Sequence, residues 1–222
     1  MDKFRSTVLA ANATLGLANL FNPRDRDGNG TIDEIDRTLP ISERFFSGGS
    51  TTLRGFGFEE AGPREVVIAQ GIFRDQDKKP VLLNPFTVPV GGNALAIINL
   101  EARVPISRAL QMVPFYDGGN VFRRVGDLFR KHDSTPVPPN DIIAAINAEN
   151  LRAHWTNTVG LGFRIQTPFG GALAVDYGYL LNPPSFLIPQ RGPSLAFDDF
   201  TGTPAVYRLK RTQVHFRFTQ TF

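Results

Sequence analysis

Alternating apolar and polar side chains dominate this sequence and predict β-strands. Successive side chains of a strand point to opposite faces, so a strand between two different environments alternates with a period of two. Predicted strands occupy residues 5–20, 94–105, 110–122, 153–167, 172–179 and 212–222. In the last strand the apolar residues Val214, Phe216, Phe218 and Phe222 alternate with Gln213, His215, Arg217, Thr219 and Thr221. The pattern predicts an all-β protein with six antiparallel strands.

The two faces of the predicted strands differ in chemistry. One face is built of Leu, Val, Ile and aromatic residues, and the other carries the charged residues Glu101, Arg103, Asp117, Arg164, Asp176 and Arg217. A soluble β-sandwich also alternates, so alternation alone does not identify the environment. Strands of about ten residues, joined alternately by short turns and long loops, are typical of tilted strands that cross a membrane. We therefore favour a transmembrane β-barrel with a wet lumen over a soluble sandwich.

Closure of such a barrel requires more strands than this chain supplies. An open edge in hydrocarbon leaves backbone N–H and C=O groups unpaired, and the smallest outer-membrane barrels have about eight strands. We therefore expect the six strands to be part of a larger barrel, or a fragment of one. In the isolated chain the first and last strands lack a native partner, so we expect it to aggregate or to pair with another chain.

Composition excludes several other classes. The 222 residues include no cysteine, so the chain has neither a disulfide framework nor a thiolate metal site. No run of 18 apolar residues is available for a transmembrane helix, and we expect no signal peptide at residues 1–4. The net charge of +3 is too small and dispersed to favour nucleic acid binding. His132, His154 and His215 are far apart, and the chain has no Gly-x-Ser-x-Gly motif, so we expect no enzymatic activity.

Residues 48–56 (GGSTTLRGF) combine three glycines with one arginine. Glycine tolerates positive φ and close backbone approach, so the stretch predicts a shaped loop. It lies within a segment, residues 39–92, that has no clean periodicity, and loops of such length are usually functional or disordered. Arg54 could pair with a carboxylate in a confined space, because its fork of donors suits two oxygens at once. A surface loop with a solvated arginine is the alternative.

Two other connecting segments carry recognisable patterns. Residues 140–146 (NDIIAAI), inside a second long loop, predict a short capped helix. Residues 25–36 (DRDGNGTIDEID) match a calcium-binding loop, with oxygen ligands at alternate positions and glycine at the sixth, where the loop turns sharply. The candidate calcium ligands are Asp25, Asp27, Asn29, the Thr31 carbonyl and Asp36.

The calcium pattern is incomplete in two respects. Asp36 stands where a longer glutamate normally binds calcium through two oxygens. Residues 21–23 do not predict the helix that precedes such a loop in an EF-hand. A calcium site and an acidic turn without an ion therefore both remain open.

Several blocks of sequence carry a family likeness: residues 39–46 (LPISERFF), 48–49, 53–56 (LRGF), 91–94 (GGNA), 115–122 (FYDGGNVF), 167–170 (TPFG) and 216–222 (FRFTQTF). In this order they resemble the outer-membrane assembly-factor superfamily, whose members include BamA and TamA and which is also called the bacterial surface antigen family. The resemblance implies one partial barrel domain over residues 1–222. That domain corresponds to the last six strands of a sixteen-stranded barrel, without periplasmic POTRA domains.

The resemblance also implies roles for particular residues. An extracellular loop, about residues 21–92, folds back into the lumen, and its tip is Leu53, Arg54, Gly55 and Phe56. The arginine meets acidic residues of neighbouring strands, which here are Glu101 and Asp117. The strand that ends at Phe222 is similar to the signal by which barrel proteins are recognised for assembly, which here comprises Val214, Phe216, Phe218 and Phe222.

The implied function is assembly or insertion of proteins in the outer membrane of a Gram-negative-type bacterium. Its implied partners are outer-membrane lipid, nascent outer-membrane proteins and the lipoproteins of an assembly complex, with no nucleic acid. No cofactor is required, apart from calcium if residues 25–36 bind it. Two alternatives stay open: a secretion pore of the same superfamily, and a barrel that anchors an outer-membrane enzyme such as a patatin-like lipase.

Overall fold

The computed structural model describes residues 7–25, 28, 30–31, 34–69, 72–74, 77, 80–129, 141–167, 170–194, 196 and 198–220. Its strands are β1 (Val8–Leu17), β2 (Arg64–Val67), β3 (Ile72–Arg74), β4 (Pro80–Leu82), β5 (Phe86–Pro89), β6 (Ala94–Pro105), β7 (Leu110–Phe122), β8 (Thr156–Gln166), β9 (Gly171–Leu180), β10 (Ser185–Ile188), β11 (Ala205–Arg208) and β12 (Thr212–Gln220). The helices are α1 (Glu34–Arg37) and α2 (Ile142–Asn150), with 3₁₀ turns at Ile41–Glu43 and Val125–Leu128. None of the helices in the described part of the chain is long and apolar enough to cross a membrane.

The six long strands form one antiparallel sheet in the order β1-β6-β7-β8-β9-β12. Short turns join β6 to β7 and β8 to β9, while residues 18–93, 123–155 and 181–211 form the long connections. All six predicted strands are confirmed, and so is their antiparallel arrangement. The sheet is not closed: among the described residues, the outer edges of β1 and β12 have no partner strand.

The outer face of the sheet is apolar and exposed. Phe216 and Phe218 on β12 are 73% and 60% exposed. The same face carries further exposed residues on the other strands, among them Leu9, Leu15, Ile98, Leu100, Leu161, Phe163, Ile165 and Tyr177. Five of the six strands present large exposed apolar side chains on this face. A sheet in contact with lipid has such a face, whereas a soluble sandwich does not. The partial transmembrane barrel is therefore confirmed as the fold.

The inner face of the sheet is covered by the long connections. Residues 18–93 contain two small antiparallel pairs, β2 with β5 and β3 with β4, and β10 pairs with β11. Helix α2 contacts β2 and β10. Its Asn147 accepts a hydrogen bond from the N–H of Val66, and the side-chain amide of its Asn150 donates to the carbonyl of Leu187 and accepts from the N–H of Leu187. The predicted capped helix is confirmed, since the Asp141 carboxylate accepts a hydrogen bond from the N–H of Ala144 at 2.9 Å.

An apolar core fills the inner side of the sheet at the end where the long connections emerge. Its buried members are Leu53, Phe56, Ala61, Ile97, Leu180, Phe186 and Leu209. Ile97 and Leu180 lie near the loop ends of β6 and β9, where they interrupt the polar pattern of the inner face. The inner surface is therefore packed near the loops, while the charged residues line it farther along the strands.

Candidate functional site

Residues 48–57, which we call the loop tip, have a tightly turned backbone. Gly48 and Gly49 have φ angles of 116° and 106°, which residues with a Cβ rarely adopt. The N–H of Gly48 donates to the Thr52 hydroxyl at 3.0 Å, and the N–H of Gly49 donates to the carbonyls of Leu53 and Phe56. The stretch is thus a shaped loop, and its glycines are required where the chain reverses.

The side chain of Arg54 points from the loop tip into the sheet, where it meets two carboxylates. Its Nε and Nη2 donate to the two oxygens of Asp117 at 2.8 and 2.7 Å, and its Nη1 donates to Glu101 Oε1 at 2.6 Å. The backbone N–H of Arg54 donates to Asp117 as well, at 3.0 Å. Arg54 is only 3% exposed and Asp117 is fully buried. The structure therefore brings together the three residues that the sequence singled out.

The surroundings of Arg54 keep its guanidinium charged. Burial alone acts to lower the pKa of Arg54, because it removes water from the charged form. The hydrogen bonds and charges of Asp117 and Glu101 outweigh burial, so the pKa of Arg54 is raised above its ordinary value. The bidentate geometry with Asp117 uses the rigid fork of donors that lysine lacks. Arg54 is therefore a permanent cation held by a fixed pair of anions.

Charges on the inner face balance around this contact. Arg103 donates to the second oxygen of Glu101 at 3.0 Å. On the neighbouring strands, Arg164 forms a two-point contact with Asp176 at 2.6 and 3.1 Å. The network as a whole pairs three cations, Arg54, Arg103 and Arg164, with three anions, Glu101, Asp117 and Asp176. A network of this kind holds one geometry because each member is satisfied by another.

Two further residues hold the loop tip, and sequence reasoning did not assign them this role. The guanidinium carbon of Arg54 lies 3.5 Å from the centre of the Phe115 ring, a cation–π contact. The side-chain amide of Asn99 donates to the Thr52 carbonyl at 2.7 Å and to Asp117 at 2.8 Å. Phe115 and Asn99 each stand two places before one of the acidic partners on the same strand. This spacing puts them on the same face and is the signal that could have identified them.

Glycines in the sheet make room for the loop tip. A Cβ at Gly178 on β9 would collide with the carbonyl oxygen of Arg54, and one at Gly160 on β8 would collide with the Phe115 ring. On the loop itself, a Cβ at Gly55 would strike side chains of β8 and β9. The inner face therefore has a shallow depression that fits a backbone without side chains.

The candidate calcium ligands fall partly outside the described residues, since Asp27 and Asn29 are not among them. The two carboxylate oxygens of Asp25 accept hydrogen bonds from the N–H groups of Gly28 and Gly30, each at 2.7 Å. Thr31 is exposed, whereas Asp36 is fully buried at the end of the segment. Among the described residues, no group of three or more His, Asp or Glu side chains is arranged to hold a metal ion.

The terminal strand has two chemically different faces. Val214, Phe216 and Phe218 are exposed on the outer face, while His215 and Arg217 are partly buried on the inner face against the loop tip. The remaining member of the implied assembly signal, at position 222, lies outside the described residues, and the signal itself stays a prediction. The alternation of this strand separates outward-facing apolar side chains from those that face the loop.

An apolar outer face, a charged inner face and a loop docked there by a buried arginine define the wall of a transmembrane β-barrel with an internal loop. Comparison with protein families agrees, since the model of the Omp85 superfamily domain matches residues 1–220. The chain belongs to the Omp85 superfamily. Members of this superfamily are outer-membrane proteins of the insertion and secretion type, found in Gram-negative-type bacteria and in organelles.

Proposed function

We propose that this chain is the C-terminal barrel part of a factor that assembles proteins into the outer membrane of a Gram-negative-type bacterium. The observation that carries the proposal is the chemistry of β12, whose outer side chains are apolar and exposed and whose inner side chains contact the loop tip. Wherever the backbone edge of β12 that faces away from β9 is unpaired, its N–H and C=O groups are a template for another strand. Superfamily membership supports the proposal, because insertion is one of the two general activities of the family.

The proposed mechanism adds a strand of the incoming protein to the edge of β12. The backbone of β12 supplies hydrogen bonds that hydrocarbon cannot supply. The exposed side chains of Val214, Phe216 and Phe218 continue the apolar outer surface, so an incoming strand with the same alternation keeps its apolar side chains in lipid. The step forms and breaks hydrogen bonds only, and it needs neither covalent chemistry nor a cofactor.

The loop tip supports this mechanism by shaping the inner side of the wall. Arg54 fastens the loop to β6 and β7 through Glu101 and Asp117, and the buried side chains of Leu53 and Phe56 fill the space beside it. Because the docked loop contacts the inner face of the sheet, the sheet keeps its shape while the edge of β12 is unpaired.

Depletion of this protein in its host cell tests the proposal. We expect the amounts of folded outer-membrane barrel proteins, measured by heat-modifiable gel mobility, to fall across many members when its expression is repressed. Wild-type copies supplied from a plasmid should restore them. Loss of a single exported protein, with normal amounts of barrel proteins, would instead identify a secretion pore. Loss of one surface enzyme activity alone would identify an enzyme anchor.

The partners of the proposed function are nascent outer-membrane proteins, outer-membrane lipid and the lipoproteins of an assembly complex. Lipid is supported by the exposed apolar face of the sheet. Purification of the protein from membranes after chemical cross-linking should recover unfolded barrel proteins and assembly lipoproteins in excess over a control barrel of similar abundance.

A further inference from the structure

The loop tip lies lengthwise along the inner face of β12. At one end, Nη1 of Arg217 donates to the carbonyl of Ser50 at 3.2 Å. In the middle, Nε2 of His215 lies 3.1 Å from the carbonyl oxygen of Arg54. At the other end, Gln213 borders a cavity of about 250 Å³ together with residues 55–57. The loop tip thus runs from residue 50 to 57 as the strand runs from 217 to 213, in opposite directions.

Both hydrogen bonds use the backbone of the loop and the side chains of the strand. A carbonyl oxygen only accepts, so His215 carries its proton on Nε2 in this contact and is the donor. Gly178, on the strand next to β12, leaves the carbonyl of Arg54 room to reach the histidine. The contacts therefore require donors at positions 215 and 217 but no particular side chain at position 50.

These contacts form a second anchor of the loop, separate from its ion pairs. The guanidinium of Arg54 reaches Glu101 on β6 and Asp117 on β7, three or more strands away from β12 in the sheet order. The carbonyls of Ser50 and Arg54 reach β12 directly. Within the sheet, β12 is paired only with β9 in the described part of the chain, so the loop tip is its other support.

We propose that His215 and Arg217 are positioning residues that latch the terminal strand to the loop tip and so hold its free edge in place. Release of the latch leaves the ion pairs of Arg54 intact and frees β12 to move away from the loop. What the free edge then does rests on the proposed function; the latch itself does not.

Hydrogen exchange of the protein purified from membranes in detergent, read by mass spectrometry, tests the latch. The double variant His215→Leu with Arg217→Met removes both donors and keeps similar bulk. We expect the amides of β12 to exchange roughly twentyfold faster, because each of the two hydrogen bonds contributes a factor of about five. The amides of β6 and β7 should exchange at the wild-type rate. All samples are compared at one protein concentration, so that any pairing between chains is the same in each.

Two matched variants separate a latch from a general effect of packing. Gln213→Met changes a residue on the same face of the same strand. In the described part of the chain Gln213 makes no hydrogen bond to the loop, so this variant should leave the exchange of β12 unchanged. The pair His215→Gln with Arg217→Lys keeps a donor at each position and should restore most of the protection. If the double variant does not fold, Arg217→Met alone should still accelerate β12 by a smaller factor.

Three results would overturn the latch: unchanged exchange of β12 in the donor-free variants, equal acceleration of β6 and β7, or an equal effect of Gln213→Met. The measurement needs no assembly activity. A protected β12 that depends on the two donors therefore supports the latch even if depletion of the protein leaves other barrel proteins unaffected, and failure of the latch leaves the depletion experiment valid.

Discussion

At the scale of single residues, the docked loop depends on a charge that is buried and fully paired. In the docked loop Arg54 loses its contacts with water. It gains three side-chain hydrogen bonds to two carboxylates and a contact with the Phe115 ring. Burying a charge is unfavourable unless its partners are satisfied in good geometry, and here Asn99 and Arg103 bind the carboxylates in turn. The loop therefore docks in one position.

Replacement of Arg54 by alanine should undock the loop tip. Loss of one partner of a buried pair leaves the other uncompensated and typically costs about 3–5 kcal/mol. We expect the lower end of that range, because the side chain of Glu101 keeps 15% of its surface exposed to solvent. Limited proteolysis should cut the variant within residues 48–57 much faster than the wild type. Arg208→Ala, at an exposed position, is the control, and equal cleavage rates would contradict the prediction.

The sequence carries part of this residue-scale picture. Glycine density and a lone arginine marked the loop tip, alternation placed Glu101 and Asp117 on the inner face, and the family resemblance linked the three. Neither route identified Phe115, because alternation treats an apolar residue on a charged face as out of pattern. The contacts of His215 and Arg217 with loop carbonyls also went unpredicted, because backbone acceptors leave no trace in sequence.

At the scale of elements, the terminal strand has its register fixed from both sides. Its outer residues are apolar and exposed, and its inner residues contact the loop tip. A shift by one residue would exchange these faces and bring Arg217 into hydrocarbon. Sequence alternation predicted this strand well, whereas the small pairs β2–β5, β3–β4 and β10–β11 went unpredicted because strands of three or four residues are too short to show a period.

A charge on the outer face of β12 should destabilise the protein. Phe216→Arg should lower the free energy of unfolding by about 2–4 kcal/mol if the position lies near the middle of the bilayer. Gln213→Arg, on the inner face of the same strand, should have little effect. Urea unfolding in lipid vesicles, followed by the fluorescence of Trp155, the single tryptophan of the chain, measures both. Equal sensitivity of the two positions would mean that the faces are wrongly assigned.

We propose that the segment at residues 25–36 binds calcium, because oxygen-bearing residues recur at alternate positions along it with glycine at the sixth. Titration calorimetry of the full chain should show binding at millimolar calcium or below, as flexible oxygen-rich loops do. Asp25→Asn should weaken it, because one charged ligand is lost. Thr31→Ala is the matched control, since the proposed ligand at that position is the main-chain carbonyl. A wild-type chain that gives no heat of binding would make the segment an ordinary acidic turn.

At the scale of the whole molecule, the sheet has two edges whose backbone N–H and C=O groups have no partner strand in the described part of the chain. Hydrocarbon offers no group that could pair with them. Alternation and strand length indicate where strands lie and which face is apolar, but they do not count the strands of a closed barrel. The outer edges of β1 and β12 are unpaired in the described part of the chain, although both strands carry exposed apolar side chains such as Leu9 and Phe216. Closure depends on partners that the pattern within one chain does not identify.

The isolated chain of 222 residues should therefore not behave as a compact monomer. After refolding into detergent, we expect multi-angle light scattering to show pairs or larger assemblies, because the two open edges pair with other strands. Gel mobility should not shift sharply on heating, as it does for small closed barrels. A monomeric mass with a clear heat-dependent shift would show that six strands can close on themselves.

The docked loop also sets an order of events during folding. Arg217 and Ser50 are 167 positions apart in the chain, and His215 and Arg54 are 161 apart, whereas Arg54 and Glu101 are separated by 47. Contacts between distant positions form late, since closure of a long segment costs entropy before the contacts offset it. The loop tip can therefore complete its contacts only after the last strand has joined the sheet. The ion pairs of Arg54 span 47 and 63 positions, so they can protect residues 48–57 from protease before β12 is in place. Slow hydrogen exchange of the β12 amides, and not protease resistance of the loop, then marks the final step of folding.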